Sequence, residues 1–184
     1  MRSGKRDTGL DVNTRFAQGD IVTTVIKCSG GETITIALDT TFPRSYSRHF
    51  TVRGTKGAYF EDTDSFFFDD EHSKDYEFDG TPLRDNFSKY KEEHLHHLWK
   101  GYDPKGGHGG MDWLVFEAFI NWVREGGRPT IDTYDTASLM CISVLSEESI
   151  ANGSNSVFIP DFTRGKWCMR NDIKDGKYNL DLIK

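Results

Sequence analysis

The stretch Ile21-Val22-Thr23-Thr24-Val25-Ile26, the turn Ser29-Gly30-Gly31 and the run Glu32-Thr33-Ile34-Thr35-Ile36-Ala37-Leu38 decide the fold class. Two runs rich in β-branched residues, which pack well on a pleated surface, flank a glycine-bearing turn, and that is a hairpin pattern. In the second run Ile34, Ile36 and Leu38 alternate with Thr33, Thr35 and Ala37, so one face is apolar and the other polar or small. The alternation predicts an antiparallel sheet covered on one side.

Further strands are expected at residues 47–53, at 57–61 after the turn Gly54-Thr55-Lys56-Gly57, and at 65–68. Phe66-Phe67-Phe68 suits a strand with both faces covered. Residues 69–85 are acidic and contain Gly80 and Pro82, which reads as a surface connection. Residues 86–100 then give a charged, weakly amphipathic helix with Leu95, Leu98 and Trp99 as its core contacts. Residues 111–124 carry Leu114, Val115, Ala118, Phe119, Trp122 and Val123 at helical spacing, so this helix should be largely buried. A last helix over 132–151 starts at Asp132, a good cap, and packs through Ala137, Met140, Cys141, Val144 and Leu145. Residues 156–160 look like a short edge strand stopped by proline. Strands first and helices later indicate α+β: a largely antiparallel open sheet with helices packed on one face.

With 184 residues the chain is sized for one domain with a real core. We divide it into a polar lead-in over 1–18, an α+β substrate and oligomerisation domain over 19–168, and a polar tail over 169–184. Thirteen Phe, seven Tyr and four Trp supply large surfaces to bury, which argues against disorder throughout. A net charge of -6 with no readable basic face excludes a general nucleic-acid partner or an acidic membrane surface. Cys28, Cys141 and Cys168 are odd in number and widely spaced, so they form neither a disulfide framework nor a zinc ribbon and read as buried thiols. No run of eighteen apolar residues exists, and Met1 to Arg6 lack the apolar segment of a signal peptide, so the chain as given is expected to be soluble without an export address.

Two segments could carry chemistry. In Gly106-Gly107-His108-Gly109-Gly110-Met111-Asp112 a histidine stands between glycine pairs directly before an apolar helix. Glycines so placed permit unusual dihedrals or close approach of another molecule. An imidazole titrates near neutrality, and a helix amino terminus just after it favours the neutral form needed for proton transfer. The same residues also read as a flexible helix lead-in with a solvated histidine. Asp39-Thr40-Thr41-Phe42-Pro43-Arg44-Ser45-Tyr46-Ser47-Arg48 combines carboxylate, hydroxyls, guanidinium groups and a phenol, a set suited to a sugar's hydroxyls and apolar face. An ordinary polar turn explains it too. His94, His96 and His97 invite a metal, but no second ligand cluster accompanies them and an exposed charged helix accounts for all three, so no metal site is assigned. Tyr134 with Asp132 and Asp135 reads as a helix cap. No Gly-x-Gly-x-x-Gly follows a strand, so a dinucleotide site is not readable.

Several phrases taken together carry a resemblance: Asp39-Thr40-Thr41, Pro43-Arg44, Tyr46-Ser47-Arg48, Gly54-Thr55-Lys56-Gly57, Gly107 to Asp112, Tyr134-Asp135, Leu145-Ser146-Glu147, and Val157 through Ile159-Pro160-Asp161-Phe162-Thr163-Arg164-Gly165. From residue 19 to 167 the chain resembles the carboxy-terminal part of glycoside hydrolase family 109, the NAD-dependent α-N-acetylgalactosaminidases of the Gfo/Idh/MocA oxidoreductase superfamily. The resemblance implies an amino-terminal Rossmann domain that holds NAD, absent from this chain, and a carboxy-terminal α+β domain that shapes the sugar pocket and self-associates through its sheet. It implies oxidation of the sugar at C3, elimination of the C1 substituent, addition of water and return of the hydride. By the same resemblance His108 is the acid/base residue, Tyr46 a substrate ligand, and Arg44 or Arg48 part of the same wall. The family's Tyr-Pro-Thr-His segment is missing along with the nucleotide fold, so the isolated chain is expected to be inactive, an excised domain or one that needs a partner. Any export signal would belong to an upstream region. A domain of another Gfo/Idh/MocA sugar oxidoreductase and a non-enzymatic oligomerisation or binding module are the alternatives.

Overall fold

In the computed structural model the described residues are 13, 15, 19–40, 42–72, 84–169, 176–178 and 180. Most of the expected lead-in, residues 73–83 of the acidic connection and most of the expected tail lie outside them. The chain divides into two compact units, residues 1–46 and 47–184. The described elements are small antiparallel sheets and helices, an α+β fold.

In the first unit β1 (Ile21–Lys27) pairs antiparallel with β2 (Thr33–Asp39), in register from Ile21 opposite Asp39 to Lys27 opposite Thr33. The turn closes through hydrogen bonds from the Cys28 amide to the Glu32 carbonyl, 2.8 Å, and from the Gly31 amide to the Cys28 carbonyl, 3.1 Å. Gly31 takes φ +102°, which glycine adopts without a side-chain clash. This register puts Val22, Thr24 and Ile26 on one face with Leu38, Ile36 and Ile34. The β1 members of that face are half-buried, but Ile34, Ile36 and Leu38 remain exposed. The expected apolar face therefore exists, and the described residues cover it only in part.

In the second unit β3 (Thr51–Arg53), β4 (Gly57–Phe60) and β5 (Ser65–Phe68) form an antiparallel sheet in that order. The five strands thus make two sheets, of two and three strands, among the described residues. Gly57 is required by close approach, since a Cβ there would lie 2.5 Å from the Phe67 carbonyl oxygen. After the single turn α1 (Asp69–His72), helix α2 (Phe87–His94) lies against β5. Phe87 stacks on Phe66 at 5.6 Å, and Tyr90 meets Phe66 and Phe68 edge-on at 5.9 and 5.0 Å. Just before α2, the Asn86 side chain accepts from the Phe66 amide at 2.7 Å and donates to the Phe66 carbonyl at 2.9 Å, filling the β5 edge as a strand would. Tyr90 and Ser65 are buried here, and Phe66 to Phe68 are half-buried.

Four expectations change. Helix α2 stops at His94, where Leu95 turns extended, and residues 95–99 are half-buried in the turns that follow. Residues 156–160 form no strand, because a β-branched run becomes one only beside an edge that offers ladder partners. Helix α3 (Met111–Glu125) buries only Leu114, while Val115, Phe116, Phe119, Ile120 and Val123 are exposed. Its apolar residues surround the axis, and the described residues cover one stripe of it. Cys168 is exposed and Cys28 and Cys141 are half-buried, so the thiols are not core residues. Helix α4 (Thr133–Ala151) starts as expected: Asp132 accepts from the amides of Tyr134 and Asp135 at 2.8 and 3.0 Å, and Asp135 accepts from the Asp132 amide at 3.0 Å.

Candidate functional site

Between α2 and α3 the chain is bent by a series of left-handed residues: Gly106 at φ +79°, His108 at +50°, Gly109 at +66° and Gly110 at +92°. Gly110 has no room for a side chain, since a Cβ would sit 2.8 Å from Pro104. It is buried, and the Tyr102 hydroxyl donates to its carbonyl at 2.9 Å. His108, in contrast, has a side chain and pays for the same backbone region, a cost of about 1–2 kcal/mol. The loop is pinned at Gly110 and runs through one 3-10 turn, His108–Gly110, into α3.

That geometry presents the His108 ring to solvent, 76% exposed, with Nδ1 at 3.0 and 2.9 Å from the two carboxylate oxygens of Asp112. Asp112 lies in the first turn of α3, where the helix dipole favours its negative charge. A carboxylate only accepts, so Nδ1 is the donor and Nε2 is left to exchange protons. The glycine-flanked histidine is therefore held in one orientation by a pairing four residues along the chain.

The second expected segment is divided between the units. In the first, Arg44 Nε lies 3.5 Å from Asp39 Oδ2, the Phe42 amide donates to Asp39 Oδ1 at 3.3 Å, and Tyr46 is highly exposed. In the second, the backbone around Arg48 sits on the acidic turn Glu61–Thr63 after β4. The Arg48 and Phe50 amides donate to Glu61 Oε2 at 3.1 and 2.8 Å. Asp62 accepts from the Ser47 hydroxyl at 2.5 Å and pairs through Oδ2 with His49 Nδ1. His49 shares the left-handed region at φ +49°. Arg44 and Tyr46 thus belong to one unit, and Arg48 and His108 to separate elements of the other. Sequence reasoning missed His49 and Asp62, whose separation of thirteen residues leaves no local signal, and gave Asp112 no role beside His108, although the four-residue spacing was visible.

The other histidines have packing roles. His94 lies 6.3 and 5.9 Å from the Phe66 and Phe68 rings, while the His96 and His97 rings lie 4.2 Å apart, tilted by 36°, and His97 Nε2 contacts the Lys177 carbonyl at 2.8 Å. Burial holds the His96 ring below the ordinary imidazole range, and the charge on His97 adds to this. His96 and His97 are half-buried, not members of an exposed helix. Among the described residues no three His, Cys, Asp or Glu side chains gather as metal ligands. An open groove of about 540 Å³ runs along α3 between Trp113, Phe116, Glu117, Arg124 and Tyr178. There the Glu117 carboxyl is held below its usual range by hydrogen bonds from Trp113 and from the Tyr178 hydroxyl, the latter at 3.0 Å.

The Pro160 to Gly165 phrase is a tight turn. Asp161 accepts from the Thr163 amide and hydroxyl at 2.9 and 2.7 Å and from the Gly165 amide at 2.6 Å, which holds its carboxyl below the usual range. No helix among the described residues is long and apolar enough to cross a membrane.

Residues 3–169 match the family model of the glycosyl hydrolase 109 C-terminal domain. A glycosyl hydrolase family 109 protein of Stenotrophomonas maltophilia is 42% identical over 93% of this chain and 37% of its own length. An alpha-N-acetylgalactosaminidase of Tannerella forsythia is 40% identical over 84% of this chain and 32% of its own, and one of Shewanella oneidensis is 36% identical over 83% and 34%. The chain spans about a third of the length of these curated relatives. The glycine-bracketed histidine, the acidic turn under Arg48 and the Asp161 turn all lie inside the matched span, and the chain belongs to glycosyl hydrolase family 109, of which it carries the C-terminal domain.

Proposed function

We propose that this chain supplies the sugar-facing half, and one proton carrier, of an enzyme that hydrolyses α-N-acetylgalactosaminides. Two relatives that bear the name alpha-N-acetylgalactosaminidase support the substrate class. The observation that carries the chemistry is the His108 imidazole, exposed on a pinned loop and held through Nδ1. An imidazole so held can pass a proton through Nε2, to a departing glycosidic oxygen or from a sugar carbon made acidic by an adjacent carbonyl. Tyr46, Arg44 and Arg48 are the proposed sugar contacts, a phenol and two guanidinium groups fit for hydroxyls.

The reading includes NAD, and the described residues do not form a cradle for it. A dinucleotide fold needs parallel strands joined by a helix, with the glycine turn directly after a strand. Here every strand pair is antiparallel and the glycine loop follows an irregular stretch. NAD would be held by a nucleotide domain outside these residues, and the chain alone is expected to be inactive. The exposed Ile34, Ile36 and Leu38 stripe supports self-association through the hairpin sheet.

The test joins this domain to its genomic upstream segment and follows release of an aryl group from an aryl α-N-acetylgalactosaminide, with and without added NAD. Hydrolysis that needs NAD, and that falls by about 10²- to 10⁴-fold in His108→Ala, is expected. Full activity in His108→Ala sinks the assignment.

A further inference from the structure

We propose that Asp112 is a positioning residue that fixes the tautomer of His108, and that the absence of a side chain at Gly107 is what leaves room for its carboxylate. Two independent features of the loop meet here. Both Asp112 oxygens lie within hydrogen-bond distance of His108 Nδ1, which makes Nδ1 the protonated nitrogen of the neutral ring. A Cβ built on Gly107 would come within 2.7 Å of Asp112 Oδ2.

Gly107 differs from its neighbours in a way that makes this decisive. Its backbone, at φ -73° and ψ 172°, is one that alanine adopts freely, unlike the left-handed Gly106, Gly109 and Gly110. The requirement for glycine at 107 is thus not conformational. The atom a methyl group would strike is the end of a side chain, so Gly107→Ala displaces the carboxylate while leaving the backbone and both partners of the pair chemically intact. With Asp112 moved, the ring loses the acceptor that selects Nδ1–H, and Nε2 ceases to be the unprotonated, outward nitrogen.

As to function, the inference rests on the proton-carrier reading of His108, but its primary test does not. Histidine tautomers of the ¹⁵N-labelled chain are read from long-range ¹H–¹⁵N spectra at mildly alkaline pH. The wild-type chain should show His108 mainly as Nδ1–H. Asp112→Ala and Gly107→Ala should both shift it to Nε2–H, and Gly107→Ala should do so with an unchanged thermal midpoint. His108 already mainly Nε2–H in the wild type, or still Nδ1–H in a folded Gly107→Ala chain, overturns the proposal. Should Asp112→Ala fail to fold, Gly107→Ala alone decides. In the protein joined to its upstream segment, Gly107→Ala should lower kcat with KM unchanged, by about 10- to 100-fold, the range seen for carboxylates that orient imidazoles in metal sites. A tautomer shift with no change in kcat leaves the orientation in place and removes the catalytic reading.

Discussion

Helices α2 and α3 invert what their sequences suggest. Helix α2, Phe-Ser-Lys-Tyr-Lys-Glu-Glu-His, is mostly polar, yet Phe87, Tyr90 and His94 at three- and four-residue spacing give it one aromatic stripe that docks on Phe66 and Phe68. Helix α3 is mostly apolar, yet only Leu114 is buried and seven large apolar side chains stay exposed. Apolar content measures how much surface asks for cover, while docking depends on a partner face of matching shape. For α2 that face is the pair of Phe66 and Phe68 rings on β5; for α3 the described residues do not contain it.

The largest effect is expected at Tyr90. Tyr90→Ala removes the one buried aromatic of α2 and should cost about 3 kcal/mol in urea unfolding. A loss under about 1 kcal/mol would mean that α2 is no better packed than α3. Acid gives a smaller effect. Burial lowers the His96 pKa in the folded chain, so the stability gained from its neutral ring is present above the ordinary imidazole range and lost as pH falls through and below it. Thermal midpoints taken from pH 7.5 down to pH 5.5 should therefore decline, and less steeply in His96→Gln; an equal slope in both removes His96 as the cause. The smallest change is expected on α3, where Phe116→Ser should alter the stability of this chain by less than about 0.5 kcal/mol while reducing binding of an apolar dye. A loss of about 2 kcal/mol there would show α3 to be packed after all.

The parts of the fold that were legible are those fixed by near neighbours. The hairpin follows from alternation on either side of Ser29-Gly30-Gly31, the β5 strand from its aromatic run, and the start of α4 from Asp132 and Asp135. What escaped depends on distant partners. The 156–160 run has the residues of a strand and lacks an edge to join, and the length of α2 is cut by a turn that no glycine or proline announces. The site divides in the same way. The His108 to Asp112 pairing is written in a four-residue spacing, whereas the Asp62 carboxylate that gathers Ser47 and His49 arrives from the far side of two strands.

The β1–β2 ladder has a consequence in time. All of its pairs close between Ile21 and Asp39, and a hairpin of such local contacts forms in about 1–10 μs, early among the events of folding. A two-stranded hairpin is marginal by itself, and both of its outer edges are without a strand partner among the described residues. A hairpin that closes early with open edges offers them to a second chain, so refolding yield should depend on chain concentration.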